Sequence, residues 1–135
     1  MSQLPYLDHD ALLKLAAEAA HITQPCTCTK TSLAGWTSLP LSLHDAQLIE
    51  VATLAPPDDA EPTYAEHHPA GTHYASDDAP IALRHFPYNR CTVNRCRACG
   101  RLFLRYQEGG GYFIDQRIRA LDPALVVDAD GADDA

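Results

Sequence analysis

Five cysteines constrain this chain more than any other feature. Cys96-Arg97-Ala98-Cys99-Gly100 places two cysteines three positions apart, and Cys26-Thr27-Cys28 supplies a second close pair far upstream. Cysteines at that spacing can aim both sulfurs at one ion across a tight turn, and a glycine after the second permits the left-handed backbone that ends such a turn. Zinc takes four tetrahedral ligands, with sulfur at about 2.3 Å. The expected site is therefore Zn2+ held by Cys26, Cys28, Cys96 and Cys99, an ion that would staple together two remote stretches of chain. Cys91 is the substitute ligand. If Cys91 to Cys96 runs extended, its ends lie roughly 16 Å apart and cannot share an ion. If residues 92–95 turn instead, Cys91 could join Cys96 and Cys99 and displace one of the upstream pair.

The chemical alternative is thiol redox. A thioredoxin-like dithiol sits at the start of a helix that follows a strand, whereas this motif precedes the strand-like Leu102-Phe103-Leu104-Arg105-Tyr106 and Gly100 interrupts any immediate helix. The opening residues, MSQLPYLDHD, lack a basic leader region, and no apolar run approaches the length of a membrane span. A cytoplasmic protein is the expectation, and thiols stay reduced there, which favours metal over disulfides.

The remaining pattern predicts an α+β domain over residues 1–127, with an acidic, disordered tail at 128–135. From Asp8 to Ile22, Leu12, Leu15, Ala16, Ala19 and Ile22 recur at helical spacing, with Asp8 or Asp10 as the cap. Ala46 to Leu54 reads as a strand on the strength of Val51, Thr53 and the following Pro56-Pro57, a helix capped by Ser42 and Asp45 being the alternative. Residues 55–82 form a long irregular loop anchored by Tyr64, Tyr74 and Ile81, and Trp36 reads as a core residue. Phe86 to Val93 looks extended. After the cysteine turn, a β-hairpin bends at Gly109-Gly110-Gly111 and returns from Tyr112. The sheet should be small and antiparallel.

The Cys-x-x-Cys-Gly turn and its hairpin resemble those of zinc-ribbon and zinc-knuckle proteins, small bacterial ones among them, over residues 84–121 with 26–28 contributing. The resemblance implies a metal-stapled scaffold and no particular activity. It departs from the usual ribbon, which pairs two Cys-x-x-Cys turns, in offering Cys-x-Cys upstream.

The formal charge of −8 is unevenly spread. Between Arg84 and Arg119 lie eight of the ten basic residues and only Glu108 and Asp115, a balance of +6 that leaves −14 for the rest. Such asymmetry predicts either a basic binding face or a basic module shielded by its own acidic segments. Leu102, Leu104 and Tyr106 are expected to face the core together with Tyr112, Ile114 and Ile118. Arg101, Phe103, Arg105, Phe113, Arg117 and Arg119 are expected on the outer face, as basic groups interleaved with aromatics. Two non-catalytic functions follow. The first is a protein-binding module of the immunity or adaptor kind, whose acidic portion would meet a basic partner. The second is nucleic-acid binding by the hairpin. Four-cysteine ligation leaves no open coordination position, which argues against an enzyme. The histidines His67, His68 and His73 beside Glu66, and His44 beside Asp45, match no recurring catalytic spacing and read as solvated loop residues, a second metal at His67 and His73 being the alternative.

Overall fold

The computed structural model describes residues 4–40, 43, 45–57, 63–109 and 114–128. Asp8 opens the only α-helix among them, α1 (His9–Ala19), by accepting a hydrogen bond from the Ala11 amide at 2.9 Å, and the helix buries Leu12 and Ala16. Five strands form one antiparallel sheet in the order β1 (Thr37–Ser38), β6 (Ile114–Ala120), β5 (Leu102–Gly109), β4 (Thr92–Cys96), β2 (Leu48–Thr53). A second, two-stranded sheet pairs β3 (Ile81–Ala82) in parallel with β7 (Val126–Val127). The α+β expectation holds, and β2 is a strand as anticipated.

Two apolar clusters sandwich the main sheet. On one face Val93, Leu102, Leu104 and Tyr106 pack with Leu12 of α1, Ile81, Tyr88 and Trp36. Trp36 is a core residue: its ring meets Tyr106 edge-on at 4.9 Å and stacks on Tyr74 at 6.1 Å, while Nε1 donates to the Tyr88 hydroxyl at 3.2 Å. Gly35 admits this arrangement, because a Cβ there would sit 2.4 Å from the Ala75 carbonyl oxygen. On the opposite face Phe103 and Ile118 pack with Cys28, Leu33, Leu43 and Leu48.

Strand register corrects the expected faces of the hairpin. Leu104 pairs with Arg119, Tyr106 with Arg117, Phe103 with Ala120 and Arg105 with Ile118. Even-numbered residues of β5 therefore share a face with odd-numbered residues of β6. Arg117 and Arg119 lie on the Leu104 side, and Ile118 lies on the Phe103 side. A shift of one residue in the connection moves a whole strand's side chains to the other face. Phe103, expected outside, is 2% exposed, and Arg119 is fully buried. Phe113, Tyr112 and the tip Gly110-Gly111 lie outside the described residues, as does the tail from 129.

Other differences are local. Residues 88–90 form a 3-10 turn rather than extended chain. Tyr74 is half-buried and Ile81 fully buried, whereas Tyr64 is 76% exposed and no core anchor, although its ring packs on Phe86 at 5.5 Å.

Candidate metal centre

A short 3-10 turn, Thr27–Thr29, follows the helix and carries Cys28 inward; its first amide-to-carbonyl bond is Thr29 to Cys26 at 3.1 Å. At the other end of the site, β4 delivers Cys96 and the chain reverses through Arg97-Ala98-Cys99 into β5. The Gly100 amide closes that turn on the Cys96 carbonyl at 2.9 Å, and the Cys96 amide bonds the Arg101 carbonyl at 2.8 Å. Gly100 has φ +89°, the left-handed conformation expected after the second cysteine.

These two turns bring Cys26, Cys28, Cys96 and Cys99 together, with all four sulfurs within 4.8 Å of one another. Cys26 Sγ lies 3.6 Å from Cys96 Sγ, and Cys28 Sγ lies 3.5 Å from Cys99 Sγ. Sulfurs at about 2.3 Å from a tetrahedral zinc are separated by about 3.8 Å, whereas a disulfide needs about 2.05 Å. The spacing thus fits ligands around one ion. Cys28 and Cys96 are buried and the other two partly so, and a cleft of about 510 Å³ between α1 and the β5–β6 end reaches Cys28.

Surrounding groups favour anionic sulfur at Cys96. Burial there opposes ionisation, but the Gln47 side chain and the amides of Cys99 and Ala98 all donate to the sulfur, and its pKa falls to about 6. Cys28 goes the other way: burial first, then neighbouring thiols, push it up. Four sulfurs this close cannot all be anions unless a cation joins them. Arg101 lies alongside, with contacts to Cys99 and Cys28 that raise its own pKa. Its Nη1 donates to the Gln24 carbonyl at 2.8 Å, tying the stretch before Cys26 to the stretch after Cys99.

Gln47 was not singled out from the sequence. Its Nε2 lies 3.3 Å from Cys96 Sγ and 3.6 Å from Cys26 Sγ, bridging the two turns. A lone glutamine ahead of a strand carries no signal of such a role. Partners of this kind orient ligands, and losing one typically costs 10- to 100-fold in metal affinity. Gln47→Leu is expected to weaken metal retention by about that factor in a competition with a chromophoric chelator while leaving the fold intact.

Cys91 is not part of the centre. It is fully buried in the other apolar cluster, its thiol donates to the Pro87 carbonyl at 3.2 Å, and burial pushes its pKa up. The turn that would have let it join Cys96 does not form, because residues 92–96 run as β4.

The arginines expected to form a basic face are largely engaged in holding the fold. Arg119 donates from Nε to the Ala34 carbonyl at 2.8 Å, from Nη2 to the carbonyls of Ala79 at 2.8 Å and Asp77 at 3.1 Å, and from Nη1 to the Tyr88 hydroxyl. Arg97 donates to the Ala46 carbonyl at 2.9 Å. Arg117 pairs with Asp115, and Arg84 lies 3.8 Å from Asp128. Shielding by the chain's own acids is thus only part of the account, and backbone carbonyls take much of the rest. Among the loop histidines, His68 bonds Glu66 and Thr72, each at 2.7 Å. The cysteine quartet is the only group of three or more potential metal ligands among the described residues, so the alternative of a second metal at His67 and His73 finds no support there; His44 lies outside them. No described helix is long and apolar enough to cross a membrane. No protein-family model, curated protein or solved structure matches the chain.

Proposed function

We propose that this protein is a zinc-stapled module that binds a protein partner, in the manner of adaptor or immunity proteins, and that it does not catalyse a reaction. The observation that carries this is the quartet itself, four sulfurs from two remote segments converging within 4.8 Å. Zinc bound by four thiolates is coordinatively closed, so it offers no position to a substrate or an activated water. Its contribution is to the fold, where it crosslinks the Cys26–Cys28 turn to the β4–β5 turn. Iron also accepts four tetrahedral thiolates, so the metal must be identified directly.

Among the described residues, the nucleic-acid alternative loses part of its expected face. Phe103 is buried, Arg119 is inside the core, and Arg101 and Arg117 are engaged with carbonyls and with Asp115.

Elemental analysis of protein purified without added metal tests the centre. About one zinc per chain is expected from the four-ligand set. Iron in its place, or metal-free protein with Cys26, Cys28, Cys96 and Cys99 reactive towards a disulfide reagent, would overturn the assignment.

A further inference from the structure

We infer that the cysteine quartet is also an oxidation site, at which a hydroperoxide converts the four thiolates into two disulfides and releases the metal. One disulfide joins Cys26 to Cys96 and the other joins Cys28 to Cys99. This rests on the zinc-staple reading above and adds the regulation of that same centre.

The pairing follows from which sulfurs share a neighbour. Cys26 Sγ and Cys96 Sγ stand 3.6 Å apart, and the Gln47 amide nitrogen reaches both, at 3.6 and 3.3 Å. Cys28 Sγ and Cys99 Sγ stand 3.5 Å apart, and Arg101 contacts both. Each pair thus has its own donor, which holds its two sulfurs side by side. A disulfide needs about 2.05 Å, so each pair closes by about 1.5 Å. The turn that carries Cys26 and Cys28 has Thr27 and Thr29 exposed and can supply that movement. Each pair also combines a partly exposed sulfur with a buried one, Cys26 with Cys96 and Cys99 with Cys28. The oxidant meets the exposed member first, and the buried member is placed to resolve it.

The chemistry balances with one hydroperoxide per disulfide. The thiolate of Cys26 or Cys99 attacks a peroxide oxygen, the O–O bond breaks, and the departing oxygen takes a proton. The paired thiolate then attacks the sulfenic acid. The S–S bond forms, the S–O bond breaks, and hydroxide leaves to be protonated to water. Each sulfur gives up one electron and the peroxide takes both. Four thiolates therefore consume two hydroperoxides and four protons. A disulfide sulfur is no longer an anionic ligand, so the metal departs.

The scaffold survives the exchange, because each disulfide joins the same two turns that the metal joins. The partners lie 70 and 71 positions apart, and closing loops of that length restricts the unfolded chain. Bonds that need no metal keep the turns together meanwhile. Gln24 Nε2 donates to the Ala98 carbonyl at 3.3 Å, Arg101 Nη1 to the Gln24 carbonyl at 2.8 Å, and Gln47 Nε2 to the Thr27 hydroxyl at 3.1 Å. Cys91 takes no part: it is fully buried in the other apolar cluster, with its thiol on the Pro87 carbonyl.

The test treats the full, zinc-loaded chain with hydrogen peroxide, wild type and Cys91→Ser side by side. All four ligand cysteines stay in place, because a change there is expected to unfold the protein. Zinc release is followed with a chromophoric chelator, remaining thiols are counted in denaturant, and disulfides are mapped by mass spectrometry of a non-reduced digest. Release of about one zinc per chain is expected. Thiols should fall from five to one in the wild type and from four to none in Cys91→Ser. The digest should show the two cross-turn disulfides, the far-ultraviolet circular dichroism should be unchanged, and dithiothreitol with zinc should restore the starting state. Zinc held through the treatment with its thiols intact would overturn the inference and leave the zinc reading standing. So would bonds confined to either turn, disulfides between chains, sulfinic acids in place of disulfides, or loss of the dichroism signal on oxidation. A chain that carries no zinc before oxidation would instead overturn the zinc reading, and the exchange with it.

Discussion

Changing Cys96 to serine is expected to empty the metal centre and unfold the protein, whereas the same change at Cys91 leaves the metal bound. Cys96 is the ligand with the most support: Gln47 and the amides of Cys99 and Ala98 all point at its sulfur, and its own backbone opens the turn into β5. Structural zinc supplies about 10–16 kcal/mol in small zinc-dependent folds. The whole stability of a domain is about 5–15 kcal/mol. A ligand loss that forfeits even part of the first figure therefore exhausts the second. Cys91→Ser keeps a donor for the Pro87 carbonyl and costs about 1–2 kcal/mol for placing a hydroxyl in an apolar cluster. Far-ultraviolet circular dichroism and elemental analysis on the two variants read both effects together. A Cys96→Ser protein that melts like wild type without metal would mean that the quartet is not what holds the two turns together.

How much of this was legible in the sequence depends on whether the deciding interaction is local. The cysteine turn was readable because chelation geometry is set within five residues, and Gly100 confirms its backbone requirement. The first helix was readable because Asp8 caps it within one turn. The hairpin's faces were not, because they depend on the number of residues in the connection between Gly109 and Ile114, which pair across the strands. Glycine composition marks the bend without fixing the register. Charge counting located the arginines and missed their use. Their acceptors are carbonyls at Gln24, Ala34, Ala46 and Ala79, contributed by segments remote in sequence, and a carbonyl has no residue type to announce it. Gln47 was missed for a related reason: its contact to Cys96 crosses the sheet edge and depends on the pairing of β2 with β4.

Arg119→Met is expected to cost about 3–5 kcal/mol and lower the melting temperature by roughly 10–15 °C, while the zinc content stays at the wild-type level. Arg119 is fully buried, and its guanidinium gathers the carbonyls of Ala34, Asp77 and Ala79 and the Tyr88 hydroxyl around one group. It thereby fastens the loop before β3 and the residue ahead of Gly35 to β6. The Tyr88 hydroxyl also accepts from Trp36, so the arginine supports the centre of the aromatic cluster as well. Methionine fills much of the same volume and supplies no donor, so several buried acceptors lose their partner together. Lysine at this position restores the charge but not the planar fork, and should recover only part of the loss. The metal is expected to stay because the four cysteines draw on the opposite face of the sheet, through Cys28 and Cys96 in the second cluster. A melting temperature within about 3 °C of wild type would show that the loop is held by its other contacts. A variant that instead loses zinc along with its stability would show that the two faces do not unfold separately, and that the metal and the buried arginine stabilise a single cooperative unit.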